Sequence, residues 1–182
     1  MERIIKSIEK EQLNEALDFV KEVFCDSEGE DEGELVKNLV KEIRSKKYYV
    51  PELELLMCDE NNKIIGYCMF SRFHIEGKYD DEFLLLSPVA VKTTLQRQHI
   101  SKELIEYGLN KAKKLGYTVC MVEGNPQNYR SRGFVTSSDY GIYAHESVGL
   151  PAPECLMVKE LVPNSLEHIS GCVSYQMYET LR

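Results

Sequence analysis

The stretch from residue 83 to residue 123 constrains the fold more than any other part of the sequence. An apolar run at 83–91 predicts a buried strand, and residues 99–115 carry apolar side chains at helical spacing. Gly116 ends this predicted helix as a C-cap glycine, and residues 118–123 form a second short apolar strand. A strand, a helix and a further strand in this order are typical of a parallel crossover, which indicates an α/β fold.

The flanking segments extend this pattern to both sides. Strands are predicted at 3–8, 53–59, 64–75 and 155–161, helices at 10–25 and 35–43, a short helix after residue 124, and an acidic loop at 27–34. The segment at 171–181 is a last strand or helix. The order β-α-α-β-β-β-α-β-α-β predicts one domain of residues 1–182, with helices on both faces of a mixed, mostly antiparallel central sheet.

Composition narrows the classes of partner and site. The chain has 30 acidic and 22 basic residues and a net charge of -8, which argues against a nucleic-acid partner. No apolar run approaches the roughly 18 residues of a membrane span, and the N-terminus has no signal-peptide pattern. The six cysteines have no CxxC spacing and the four histidines no HExxH pattern. We therefore expect a cytoplasmic protein with buried thiols, no metal and no membrane contact.

The loop between the strand at 83–91 and the helix at 99–115 is the first candidate site. A loop that leads into a helix N-terminus presents backbone N–H groups and the positive end of the helix dipole, which suits a pyrophosphate. Arg97 and Lys102 add positive charge to this loop. An ordinary crossover with a solvated basic loop has the same spacing, so spacing alone leaves both interpretations open.

Two motifs in this region resemble one known family. The segment LLLSPVAVKTTLQRQHISKELIEYGLNKAKKLGY contains a strand, a loop and a helix, and its loop is similar to the pattern Q/R-x-x-G-x-G/A. The segment after residue 123 matches G-x-P-x-x-Y-x-x-x-G-F at Gly124, Pro126, Tyr129, Gly133 and Phe134. Both resemble the acetyl-CoA-dependent N-acetyltransferases of the GNAT superfamily, and the order of the upstream elements agrees with a GNAT-type fold.

The resemblance implies acetyl-CoA as co-substrate, lying between the strands at 83–91 and 118–123. The implied cofactor-binding residues are Val89, Ala90, Val91, Gln96, Arg97, Gln98, His99, Ile100, Ser101 and Lys102. Within the loop Gln96 matches the family pattern, whereas His99 and Ser101 stand where the family has small residues, usually glycine. Glycine lets a backbone approach its ligand and accepts unusual φ, so we expect weaker CoA binding than in glycine-bearing relatives.

The implied reaction is transfer of an acetyl group to a primary amine of a small molecule or a protein. Tyr129 matches the tyrosine that protonates the leaving thiolate, although an aromatic packing role also fits its position. Backbone N–H groups at 88–91 would stabilise the oxyanion. Glu82, Glu123 and His74 are candidates for the general base, although the sequence favours a solvent-facing or capping role for each of them.

Two alternatives of another class remain. The altered loop also fits a non-catalytic CoA-binding regulatory module on the same fold, or a relic that binds no CoA and acts through protein contacts. The acidic run at 28–34 lies where the family builds its acceptor pocket, but the helix-dipole preference favours a solvated helix start. A second copy of the chain is a candidate partner through the segment at 171–181.

Overall fold

The computed structural model describes residues 2–182, which form a mixed α/β fold with nine strands and four α-helices. In chain order these are β1 (Arg3–Ser7), α1 (Leu13–Glu28), α2 (Glu30–Ser45), β2 (Glu54–Asp59), β3 (Ile64–Arg72), β4 (Phe83–Val91), α3 (Ile100–Lys114), β5 (Val119–Glu123), α4 (Pro126–Tyr129), β6 (Val135–Thr136), β7 (Ile142–Ala144), β8 (Leu156–Glu160) and β9 (Gly171–Val173).

Seven strands form one sheet in the order β1-β2-β3-β4-β5-β8-β6, and β7 pairs with β9 in a second sheet. The pairs β1–β2, β2–β3, β5–β8 and β6–β8 are antiparallel, and β4 pairs with β5 in parallel. The predicted fold class, a mixed and mostly antiparallel sheet with helices, is confirmed. Over residues 2–182, no helix has both the length and the apolar character needed to cross a membrane.

The chain divides into two compact units by its internal contacts. One consists of Met1–Phe70 and Ser87–Gly108, and the other of Ser71–Leu86 and Leu109–Arg182. The first unit therefore holds β1, α1, α2, β2, most of β3, the end of β4 and the start of α3. The second holds the start of β4 and the elements from β5 to β9.

In the first unit, α1 and α2 are separated by one residue, Gly29, which has φ of 100°. The acidic loop predicted at 27–34 is therefore wrong, because Glu30, Asp31 and Glu32 form the first turn of α2. Acidic side chains in a first turn interact favourably with the positive end of the helix dipole, so these charges stabilise a helix where a loop was predicted.

The start of α3 packs closely on β3 because β3 has a glycine at the point of contact. A Cβ atom added at Gly66 would lie 2.7 Å from Ile100 Cγ2 and 2.8 Å from Leu104 Cδ1. Ile100 and Leu104 are both buried. The absent side chain thus allows the helix to approach the strand, and this approach sets the position of the loop that precedes Ile100.

In the second unit, the first four residues of β5 are buried, and the strand pairs along its whole length with β8, from Val119–Glu160 to Glu123–Leu156. The predicted strands at 118–123 and 155–161 are confirmed, as is the parallel pairing of β4 with β5. The segment at 171–181 begins with a strand, β9. The short strands β6 and β7 were not predicted, because two or three residues are too few to show a period.

Candidate functional site

Along the end of β4, buried and half-buried residues alternate. Pro88 and Ala90 are buried, whereas Val89 and Val91 are half-buried. The parallel pairing of β4 with β5 covers three residue pairs, from Phe83–Val119 to Leu85–Met121, and β4 continues to Val91. The described pairing with β5 therefore involves the first part of β4.

The loop between β4 and α3 adopts a backbone conformation that normally favours glycine. After a short turn at Thr93–Leu95, Arg97 has φ of 63° and His99 has φ of 65°. Side chains disfavour this left-handed region, and glycine enters it at no steric cost. His99 was expected at a glycine position and has this conformation. Ser101 was expected at another, but it lies in the first turn of α3, and Arg97 occupies the second left-handed position.

The loop offers donors and positive charge to an anion. Helix geometry leaves the N–H groups at the start of α3 without acceptors inside the helix, and the bond from Glu103 N to His99 O (3.0 Å) is the first that reaches back. Lys92, Arg97 and Lys102 are exposed here. A 15-residue helix directs its positive end at the same place. These donors and charges fit a phosphate group.

Two contacts from distant parts of the sequence hold this loop. Thr93 Oγ1 donates to Asp26 Oδ2 on α1 at 3.0 Å. Arg3 on β1 donates to the backbone oxygen of Gln98 at 2.9 Å. Neither Asp26 nor Arg3 was found by sequence reasoning, because each lies far from both motifs and in a segment without a motif of its own.

Tyr129 ends the four-residue helix α4 and is packed on several sides. Its ring meets Phe134 edge-on at 5.7 Å between centroids, and the Arg132 guanidinium lies 5.5 Å from the ring centre. A Cβ atom added at Gly124 would lie 2.7 Å from Tyr129 Cε2. Gly133, with φ of 87°, follows the next turn and brings Phe134 back to the tyrosine. The motif residues thus form one compact turn around the Tyr129 ring, which remains half-buried.

Two of the three candidates for the general base are engaged in local structure. Glu82 accepts a hydrogen bond from Thr118 Oγ1 at 2.8 Å, and its other oxygen lies 3.0 Å from His168 Nε2. His74 Nδ1 accepts from the backbone N–H of Gly77 at 3.1 Å. Both side chains therefore stabilise turns and strand ends, which agrees with their interpretation as surface or capping residues.

Glu123, the third candidate, is exposed at the end of β5 and has a half-buried partner. The Tyr175 hydroxyl donates to Glu123 Oε2 at 2.8 Å, and the Tyr175 ring packs edge-on against Phe73 at 5.8 Å. Burial and then the neighbouring Glu123 carboxylate raise the pKa of Tyr175. The phenol therefore stays protonated and orients the carboxylate, whose other oxygen is available to a further donor.

The acidic run at the start of α2 pairs with a lysine of α1. Lys21 Nζ lies 2.9 Å from Glu30 Oε1 and also donates to Glu34. Hydrogen bonds from Lys21 lower the pKa values of Glu30 and Glu34, and they raise that of Lys21. This arrangement is that of a solvated helix start. In the described part of the chain, no three His, Cys, Asp or Glu side chains are grouped so as to hold a metal ion.

Comparison with known proteins identifies the same fold. The uncharacterized N-acetyltransferase YhbS of Escherichia coli K12 is 25% identical over 145 residues, which are 79% of this chain and 83% of the relative. The structure of E. coli YhbS with CoA has a TM-score of 0.81 at 20% identity and covers 93% of this chain and 87% of that one. A GNAT acetyltransferase from Brucella melitensis with acetyl-CoA has a TM-score of 0.71 at 21% identity, covering 100% and 99%.

The sequence model of the acetyltransferase (GNAT) family matches residues 16–140. This range is more than half of the chain, and it includes β4, the loop with left-handed Arg97 and His99, and Tyr129. The resemblance carried by the two motifs is thereby confirmed, and the chain belongs to the acetyltransferase (GNAT) family of acyltransferases.

Proposed function

We propose that the protein transfers an acetyl group from acetyl-CoA to a primary amine of a small molecule or a protein. The observation that carries the proposal is the loop before α3. Its left-handed backbone at Arg97 and His99 retains a glycine-like conformation although no glycine is present. Similar folds crystallised with CoA and with acetyl-CoA support the choice of co-substrate.

In this proposal the pyrophosphate is bound by the backbone N–H groups of the loop and by Arg97 and Lys102. The predicted binding set is unchanged: Val89, Ala90 and Val91 on β4, and Gln96, Arg97, Gln98, His99, Ile100, Ser101 and Lys102 at the loop and helix start. Acetyl-CoA, when bound, supplies the acetyl group as an activated thioester. The β4 donors are the N–H groups of Val89–Val91, since Pro88 has none.

Proton transfer is assigned to two side chains. An unperturbed phenol has a pKa of about 10, so Tyr129 is suited to hold a proton at neutral pH and to donate it to the leaving thiolate. Glu123 is suited to accept the proton of the amine. Of the three base candidates it alone is exposed, and its Tyr175 partner fixes its orientation.

We also propose that residues 1–182 act as one N-acetyltransferase domain in the cytoplasm. The family match at 16–140 takes in parts of both compact units, which supports one domain. All six cysteines are free thiols, which agrees with a reducing compartment.

The test is calorimetric titration with acetyl-CoA and CoA, followed by CoA release with a panel of small amines and peptides with free N-termini. We expect binding of both and turnover with at least one amine. Lys102→Glu should raise the Kd for CoA by about tenfold, since it reverses one charge at the phosphate site. Lys114→Glu, at the far end of α3, is the matched control and should leave the Kd unchanged.

Two results would contradict the proposal. Binding of CoA without turnover on the whole panel would select the non-catalytic regulatory module. Absence of binding would show that the loop has lost its ligand and would favour the relic that acts through protein contacts.

A further inference from the structure

We infer that Arg3 is a positioning residue that holds the loop 96–99 in the conformation that binds the pyrophosphate of acetyl-CoA. Arg3 opens β1 and is separated from its contact, Gln98, by 95 positions in sequence. Neither motif contains it. The inference rests on the proposed function, because the ligand of the loop is part of that proposal.

The Arg3 guanidinium donates hydrogen bonds to both the backbone and the side chain of Gln98. Its Nη1 donates to Gln98 O at 2.9 Å, and its Nη2 donates to Gln98 Oε1 at 3.3 Å. Nη1 also lies 3.5 Å from Glu103 Oε1, in the first turn of α3. The backbone of Arg3 is in turn fixed by the sheet, since it pairs with Asp59 of β2. The guanidinium therefore connects a rigid strand to the loop and to the helix start.

The contacted residue lies between the two left-handed ones. Gln98 is preceded by Arg97, with φ of 63°, and followed by His99, with φ of 65°. A chain with side chains at both positions prefers other conformations, and a glycine chain does not. Fixing Gln98 from outside keeps both neighbours in place. The long-range contacts of Arg3 thus offset a steric cost that glycines at these two positions would not have.

A loop that is only partly in its binding conformation binds its ligand more weakly, in proportion to the populated fraction. Loss of the Arg3 contacts should therefore weaken CoA binding while leaving the bound state, and the chemical step within it, intact. The signature is a raised KM for acetyl-CoA at unchanged kcat.

Arg3→Lys separates positioning from simple attraction of phosphate by charge. Lysine keeps the positive charge, but its compact ammonium cannot make the bidentate hydrogen bonds of a guanidinium. If Arg3 positions the loop, Arg3→Lys should bind CoA as weakly as Arg3→Ala. If Arg3 acts through its charge, Arg3→Lys should bind like the wild type, and the inference is then overturned.

The experiment measures the Kd for CoA and the kinetics with acetyl-CoA for both variants. We expect a Kd about tenfold higher, as for a binding conformation reduced to about one tenth of the population. Lys6→Ala is the matched control: Lys6 lies on the same strand and pairs with Glu9 at 3.7 Å, away from the loop. This control should keep the wild-type Kd.

A double-mutant cycle tests the link to the left-handed backbone. In a background carrying Arg97→Gly and His99→Gly, the change Arg3→Ala should raise the Kd for CoA by less than about threefold. Glycine adopts the left-handed conformation without steric cost, so the loop depends less on the contacts of Arg3 with Gln98. The cycle compares the glycine background with and without Arg3. Both proteins lack the Arg97 charge, so the effect of that loss on the Kd is the same in both and cancels. An undiminished effect of Arg3→Ala in that background would overturn the inference.

Hydrogen exchange of the ligand-free protein gives a readout that does not depend on CoA. The amide of Glu103, which donates to His99 O at 3.0 Å, should exchange faster in Arg3→Ala and Arg3→Lys than in the wild type or Lys6→Ala. Unchanged exchange would overturn the inference even if binding falls. Failure of the wild type to bind CoA would instead overturn the proposed function, and exchange would still decide whether Arg3 fixes the loop.

Discussion

Tyr129 is held by its ring, and its hydroxyl carries the chemistry that we assign to it. The ring contacts Phe134 edge-on and lies over Gly124, where a Cβ atom would collide with it. The packing role and the proposed catalytic role of this residue therefore belong to different atoms. A substitution that removes only the hydroxyl separates them.

For Tyr129→Phe we expect turnover to fall by about 10²–10⁴-fold, the usual contribution of a general acid. The melting temperature and the Kd for CoA should stay close to those of the wild type, because the ring contacts remain. Steady-state kinetics with a confirmed amine measure the first effect, and calorimetry the others. Tyr140→Phe, at a side chain that is 44% exposed, is the control. Normal turnover of Tyr129→Phe would leave the ring with a packing role only.

At the scale of secondary structure, the position of helix α3 determines the position of the loop in the candidate site. Its first residues must lie close to β3, because the loop that precedes Ile100 takes its position from the helix. The contact depends on Gly66, whose missing side chain leaves room for Ile100 and Leu104. Since Ile100 and Leu104 are buried, they have little freedom to move away from an added methyl group.

We expect Gly66→Ala to lower the free energy of unfolding by about 1–3 kcal/mol, as overpacking of a buried contact does. The Kd for CoA should rise as well, because displacement of α3 moves the loop. Denaturant unfolding and calorimetry measure the two effects. Gly149→Ala is the matched control, since a Cβ atom there meets nothing within 4 Å. Equal stability of the two variants would contradict the close packing of α3 on β3.

Three phenols with raised pKa values couple the stability of the whole molecule to alkaline pH. In the first unit, Glu54 is fully buried and accepts hydrogen bonds from Tyr67 at 2.8 Å, from Tyr49 and from Arg44. Burial, together with the Glu54 carboxylate, raises the pKa values of Tyr49 and Tyr67. In the second unit, burial and Glu123 raise the pKa of Tyr175. These phenols remain protonated in the folded protein at a pH where they ionise in the unfolded chain.

The sign of the pH dependence follows from these raised values. The stability contributed by each phenol is fully present below about pH 10, the pKa of an unfolded tyrosine. It is lost as the pH rises further, by about 1.4 kcal/mol per pH unit for each group. Urea unfolding between pH 8 and 11 should show a steep decline, less steep in Tyr67→Phe. A free energy of unfolding that is constant above pH 10 would contradict this prediction.

Local spacing was sufficient for most of the elements and for the family. Helical spacing predicted α1 and α3, which are long enough to show a buried side, and short apolar runs predicted β2 and β5, which are buried on both faces. The motif from Gly124 to Phe134 identified the family because its residues build one local turn around Tyr129. Features made by neighbours in sequence can be read from the sequence.

Tertiary structure alone decided how the loop is held and how the base candidates differ. Arg3 meets Gln98 across 95 positions, and Tyr175 meets Glu123 across 52. It also revealed Arg97, rather than Ser101, as the second left-handed residue of the loop. The sequence by itself determined most of the elements and the family, since these depend on residues a few positions apart. The details of the site depend on contacts between distant segments, which no local spacing encodes.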